Sequence, residues 1–326
     1  MDGKANMIKN IDIEKYRDDE AVISSEDRGQ DYLDIRPEGS FSFSECMVYL
    51  DRAKNESTHF VDGAALYKLV ELNSEKVLLK LFSPQEDIIR AEFLNLKPDA
   101  ELRKAAFRYI WEWFDLGRDL GPFYEMADKD RLLKNAVNRH KGLRIVGIPD
   151  LFEALVWAIA GQQINLAFAY TLKSRVVEKY GESLKYVERV YRLFPRAETI
   201  ARLTVRELTE LKFTNKKAEY ILGVAEKMAG GTLSKDELLG CGCLEEQRER
   251  LIAVRGIGSW TADYVIMKCI RNTAAFPTGD AGLQNAIKKM LGMERKPAIL
   301  EIENMAKGWR GWEAYATFYL WRTLYE

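Results

Sequence analysis

The stretch Leu251–Met267, LIAVRGIGSWTADYVIM, joins an apolar-patterned helix to a second apolar helix through Gly256-Ile257-Gly258. Two glycines flanking one aliphatic residue are expected to turn the backbone sharply through positive φ while Ile257 packs inward between the helices. The second helix begins near Ser259 and exposes its first-turn N–H groups. With the positive end of the helix dipole, these make a binding site for a phosphate oxygen that needs no basic side chain. A plain glycine turn is the bland alternative. Further along, FPTGDAGLQNAI (276–287) sets Asp280 after a Pro-Thr-Gly loop and before another apolar-periodic helix. An Asp there reads as a helix N-cap. The same dipole favours an ionised, outward-pointing carboxylate, so one position serves both roles.

Working outward, period-3.6 patterns dominate from Ala100 onward and strand signals nearly vanish. Leu166, Ala169, Tyr170, Val177 and Tyr180 form one apolar stripe, which Gly181 is expected to end in the left-handed conformation. Thr204 with Glu207, and Ser234 with Glu237, have the spacing of capping boxes. Towards the N-terminus, FVDGAALYKLVEL (60–72) and EKVLLKLF (75–82), separated by Asn73-Ser74, predict antiparallel strands. The first forty residues are polar and lack a sustained period. The expected fold is α+β: an irregular segment over 1–40, a mixed antiparallel-sheet domain over 41–130, and an all-helical helix-hairpin-helix domain over 131–326.

The chain has 326 residues, 47% of them apolar, enough for a substantial core. Its longest apolar run, Leu151–Ala160, is interrupted by Glu153 and is shorter than the roughly 18 to 20 residues of a membrane span. The N-terminus lacks the apolar core of a secretory signal, so a cytoplasmic, nucleoid-associated location is expected, with no membrane partner. Cys46, Cys241, Cys243 and Cys269 form no CxxC pair, and His59 and His140 stand far apart, which argues against a structural zinc site. The net charge is −1. It is unevenly spread: residues 1–140 carry 21 Lys and Arg against 28 Asp and Glu, net −7, and 141–326 the remaining 28 against 22, net +6. A polyanion should therefore meet the C-terminal part.

The pattern LxxVxGIGxWTAxY followed by FPxxD resembles the helix-hairpin-helix plus Gly/Pro-Asp signature of the DNA glycosylase superfamily, with its best match in the 3-methyladenine DNA glycosylase II (AlkA) branch. Upstream, FEALVWAIAGQQIN (152–165) is similar to that branch's first helix and following turn. FPRAETIARL (194–203) and KKAEYILGVA (216–225) resemble its intervening helices, and GWRGWEAYATFYLW (308–321) its C-terminal helix. The resemblance covers about residues 41–326.

It implies a base excision repair enzyme, a monomer that flips alkylated bases of the 3-methyladenine type out of damaged double-stranded DNA and hydrolyses the N-glycosidic bond, with Asp280 as catalytic carboxylate. It implies phosphate contacts at the amides of Gly256, Gly258 and Thr261. Gln163 takes the wedge position that fills the gap left by the flipped base, with neighbouring Ile164 the alternative. Trp260, Tyr264, Trp312 and Tyr49 would line the base pocket, stacking on a cationic base. The family's tyrosine just after the catalytic Asp is Ala281 here. No cofactor is required, although a monovalent cation, Na or K, is implied on the carbonyls of Ile252, Val254 and Ile257. No cysteine follows Cys269, so an iron–sulfur cluster is not expected.

Asp263 competes with Asp280 as a carboxylate, its simpler reading being a first-turn acid favoured by the dipole. Lys216 and Lys217 precede a helix in the basic half, as phosphate contacts or a solvated helix end. Two alternative functions stand: an 8-oxoguanine glycosylase/lyase of the same superfamily, and a non-catalytic helix-hairpin-helix module that only grips DNA. The lyase reading needs a lysine two residues after the second hairpin glycine, where this chain has Trp260.

Overall fold

The computed structural model describes residues 31–326. An antiparallel sheet of five strands, β1 (Tyr32–Ile35), β2 (Phe60–Asp62), β3 (Ala65–Leu72), β4 (Glu75–Phe82) and β5 (Ile89–Phe93), has the order β1-β5-β4-β3-β2. The Leu72↔Glu75 register leaves Asn73-Ser74 as a two-residue turn. Both turn residues have positive φ, 50° and 67°, the twist that suits a tight hairpin and that Asn tolerates better than most. The helix Ala100–Trp113, capped by Asp99, buries Ala106, Phe107 and Ile110. From there the chain is helical, and one continuous apolar core runs through sheet and helices.

Three expectations are corrected. Part of the segment read as irregular, residues 31–40, is built into the fold, while residues 1–30 of that reading lie outside the described residues. Leu33 and Ile35 are fully buried, and Asp34 meets Arg90 of β5 through two hydrogen bonds of 2.7 and 2.6 Å. The buried guanidinium of Arg144 then holds the carbonyls of Glu38 and Ser40. Four residues are too few for a periodicity signal, and long-range pairing decides this strand. Second, the helical half contains a hairpin, β6 (Ser183–Tyr186) and β7 (Arg189–Arg192). It packs on the edge of the sheet, with Tyr191 6.3 Å from Tyr67 and Arg189 3.3 Å over the Phe60 ring. Third, Gly181 is extended, with φ −76°. Its smallness matters instead, because a Cβ would come within 2.3 Å of the Leu193 carbonyl.

The predicted helix starts are present. Thr204 and Glu207 form the full capping box, whereas Ser234 accepts the Glu237 N–H and the Glu237 carboxylate turns to Arg250 at 2.9 Å.

Candidate active site

The hairpin joins the helix Leu244–Ile252 to the helical stretch Ser259–Ile270, whose last turn, Ile266–Ile270, is a π-helix. Ile257 is 4% exposed and packs into the core. Of the two glycines, Gly256 alone has positive φ, 94°, and its missing Cβ would overlap the Tyr220 ring at 2.2 Å. Gly258 differs from the expectation: it is extended, with φ −91°, and caps the second helix. A Cβ there would meet nothing within 4 Å, so the protein itself leaves that face of the helix start open. Thr261 is buried, and Arg248 holds Asp263 across the hairpin at 2.7 Å. Burial pushes the Asp263 carboxyl up and Arg248 opposes it. That pairing makes Asp263 a clasp between the two helices rather than a cleft residue. Lys217 is likewise engaged, donating to the Ala160 carbonyl at 2.7 Å.

Beside the hairpin opens a cleft of about 1050 Å³. Asp280 lies on its wall as N-cap of the helix Ala281–Leu291. Its Oδ1 accepts the Leu283 N–H at 2.7 Å and the Trp321 indole N–H at 2.8 Å, and Oδ2 accepts the Trp260 indole N–H at 3.2 Å. Gly282 permits this arrangement, since a Cβ would stand 2.9 Å from Oδ1 and 3.1 Å from Trp321 Nε1. Burial pushes the carboxyl above its ordinary range, and the Leu283 amide and both indoles oppose the shift. The helix start therefore does not by itself keep this acid strongly ionised, as the sequence suggested; a partly desolvated carboxylate is the stronger electrostatic partner for a nearby positive charge.

Tyr49, Trp260 and Tyr264 line the cleft, as do Gln163 and Ile164. Trp260 and Tyr264 are tilted, 5.6 Å between ring centres, and Trp157 donates to the Tyr264 hydroxyl at 2.8 Å. Trp312, expected in the pocket, stands elsewhere, against Phe123 and Tyr315 at 5.8 Å each. The tryptophan that reaches the cleft is Trp321, at the end of the helix Glu313–Arg322. Sequence reading also passed over Arg52, Trp157 and Gln162. Gln162 donates to the Gly256 carbonyl and the Thr261 hydroxyl, both at 3.0 Å, fastening the 162–165 turn to the hairpin. In that turn Gln163 is exposed and left-handed, with φ 55°, while Ile164 packs on the core. Backbone strain in a non-glycine residue at a loop tip is a common property of functional positions.

Lys268 is 1% exposed and donates to the Tyr49 hydroxyl at 3.0 Å and to the Val146 carbonyl. Burial, then the nearby Arg52 guanidinium, pushes its amine well below the usual range. Among the described residues no three His, Cys, Asp or Glu side chains are placed to hold a metal ion, and no helix is long and apolar enough to cross a membrane.

Residues 156–312 match the HhH-GPD superfamily base excision DNA repair protein family, and residues 40–155 the 8-oxoguanine DNA glycosylase N-terminal domain. A DNA-3-methyladenine glycosylase of Bacillus subtilis (strain 168) is 44% identical over 287 residues, 87% of this chain and 94% of that one. Among solved structures, a 3-methyladenine DNA-glycosylase from Archaeoglobus fulgidus superposes with TM-score 0.77 at 23% identity, over 88% of this chain and 97% of that one. An 8-oxoguanine glycosylase/lyase of Clostridium acetobutylicum, in complex with double-stranded DNA, gives 0.69 at 19% identity, over 90% and 94%. At those identities the two structures speak for the fold.

Proposed function

This chain belongs to the HhH-GPD superfamily of base excision DNA repair proteins, and on that premise we propose a monofunctional DNA glycosylase that hydrolyses the N-glycosidic bond of flipped-out alkylated bases of the 3-methyladenine type. The observation that carries this reading is Asp280, held by two indole N–H groups and a helix-start amide at the wall of an aromatic cleft beside an open hairpin. Base loss passes through a sugar with oxocarbenium character, and a partly desolvated carboxylate facing it stabilises that charge or orients a water. Tyr264 and Trp260 supply the faces on which the flipped base stacks, and Tyr49 lines the pocket beside them. Gln163, exposed and already strained, is the wedge, and Ile164 supports it from below.

The hairpin amides of Gly256, Gly258 and Thr261 take phosphate oxygens. A monovalent cation on the carbonyls of Ile252, Val254 and Ile257 suits this hairpin: Val254 accepts the Ile257 N–H at 3.1 Å and keeps a second lone pair. The protein works as a monomer on duplex DNA, in the cytoplasm at the nucleoid. Its units are the sheet domain, expected over 41–130 and extended by β1 to Tyr32, and the helical domain over 131–326.

Duplexes carrying 3-methyladenine, 7-methylguanine, hypoxanthine, ethenoadenine, uracil or 8-oxoguanine test the reading, and release of the alkylated purines is expected. Trp260 offers no amine at the position a lyase needs, and Lys268 sits beneath Tyr49, both of its bonds directed into the protein. Borohydride added during turnover should therefore trap no protein–DNA adduct, and strands should break only after alkali. A trapped adduct that disappears on mutating one lysine would establish the lyase alternative instead.

Replacing Gly258 separates binding from folding. Valine is compatible with an extended backbone and its Cβ meets no protein atom, so the change costs only the poorer N-cap and the melting temperature should fall by no more than about 2 °C. The side chain would stand where phosphate approaches, and affinity for all duplexes at one salt concentration should fall about tenfold, the loss of one charge-assisted hydrogen bond. Undiminished affinity would remove the hairpin from the interface.

A further inference from the structure

The aromatic cleft already contains a cation. Arg52 follows the helix Phe43–Leu50, and its Nη1 donates to the Tyr49 carbonyl at 2.9 Å. Its Cζ lies 3.5 Å from the centre of the Tyr49 ring and 5.7 Å from that of Tyr170. Tyr49, Tyr264 and Tyr325 face the same cleft as Arg52 and Asp280. Among the described residues no carboxylate forms an ion pair with this guanidinium, so its charge is met by tyrosines. Arg52 itself lines the cleft.

A cation stacked on a tyrosine face occupies the position that would favour a positively charged base. Two cations in one partly desolvated cage repel, whereas a neutral base does not suffer this. A guanidinium also offers a planar fork of donors, which matches two adjacent acceptors such as the O6 and N7 of a 6-oxopurine. We propose that Arg52 is a specificity-determining residue of the base pocket, narrowing its preference for positively charged N-alkylpurines and admitting neutral bases with paired acceptors, such as hypoxanthine. The proposal deepens the glycosylase reading and rests on it: alkylated purines enter against Arg52, and its charge sets their ratio to neutral lesions.

The test uses binding, so that it does not depend on cleavage. Duplexes with a 2′-fluoro sugar, which disfavours the oxocarbenium and blocks base loss, carry either 7-methylguanine or hypoxanthine. Affinity for each is measured relative to an undamaged duplex, for the wild type, Arg52→Met and Arg52→Lys. Methionine keeps an apolar stem over Tyr49 and removes the charge, so the affinity ratio of 7-methylguanine to hypoxanthine should rise at least tenfold. Lysine keeps the charge without the fork. It should still disfavour 7-methylguanine but lose affinity for hypoxanthine, and it carries the test should the methionine variant fail to fold. A ratio within threefold of wild type in both variants overturns the proposal, as does a wild type that prefers neither lesion to undamaged DNA. Failure of the wild type to release any base from ordinary lesion duplexes counts against the glycosylase reading, while the 2′-fluoro binding ratios still judge Arg52.

Discussion

Asp280→Asn should lower base excision by about 10²–10³-fold, the scale on which a single electrostatic group acts on charge in a transition state. Both carboxylate oxygens accept from N–H donors: Leu283 and Trp321 on one, Trp260 on the other. An amide keeps one acceptor, enough for the cap and Trp321. Its NH₂ end then faces the Trp260 indole N–H, donor against donor, and that tryptophan loses its anchor. Duplex affinity should fall less than threefold, because the hairpin amides are untouched, while chemistry collapses. The acid limb of the wild-type pH–rate profile should lie above the ordinary carboxylate range, since burial raises this group and activity is lost as pH falls through its raised value. An Asn variant within threefold of wild type in single-turnover excision would remove Asp280 from the chemistry.

The parts of this site that were legible in the sequence are those fixed by local signals. Gly256, Ile257 and Gly258 between two apolar periods, and Asp280 before a third, need no knowledge of what packs where, and the Asn73-Ser74 turn is of the same kind. Trp312 and Trp321 show where such reading ends. Both lie in one quoted motif, and nine residues of helix correspond to two and a half turns, so a choice between them is a choice between opposite faces. That choice is made by Phe123 and Tyr315, which take Trp312, and by Gly282, whose smallness admits Trp321 to Asp280. Arg52 was invisible for a related reason. A cation after a helix C-terminus reads as a partner of the helix dipole, and only the fold brings Tyr170 and Tyr264 to its side. The β6–β7 hairpin carries many charges, and the docking of Tyr191 and Arg189 on the sheet, rather than its own pattern, accounts for its place.

Lys173→Met should be strongly destabilising. From the helix Leu166–Tyr180 its ammonium meets Glu153 at 2.8 Å and both oxygens of Glu56 at 3.0 and 3.1 Å, with side chains 7 to 11% exposed. Glu56 follows the helix Phe43–Leu50 and Glu153 sits in the helix Leu151–Gly161, so the lysine ties the sheet domain to the helical one. Methionine fills similar space but leaves two buried carboxylates without their bonded cation, with Lys68 the positive charge remaining nearby. Breaking a buried ion pair costs about 3–5 kcal/mol, and for a chain of this size that should lower the melting temperature by roughly 4 to 8 °C. The pH dependence identifies the cause. Burial alone would raise Glu56 and Glu153; Lys173 reverses this and holds both below the usual carboxylate range. Their stabilisation is therefore fully present above the unfolded value of 4.5 and is lost as pH falls from there through the depressed folded values. His59 adds to the loss: burial pushes it down to about 4, so protonation favours the unfolded chain as pH drops below 6.5. In the variant, the orphaned carboxylates gain by protonating. The gap between wild type and Lys173→Met, measured by thermal unfolding, should be widest near pH 7 and narrow below about pH 5. A variant that melts with the wild type at pH 7, or a gap unchanged across that range, would mean that water rather than Lys173 meets these carboxylates.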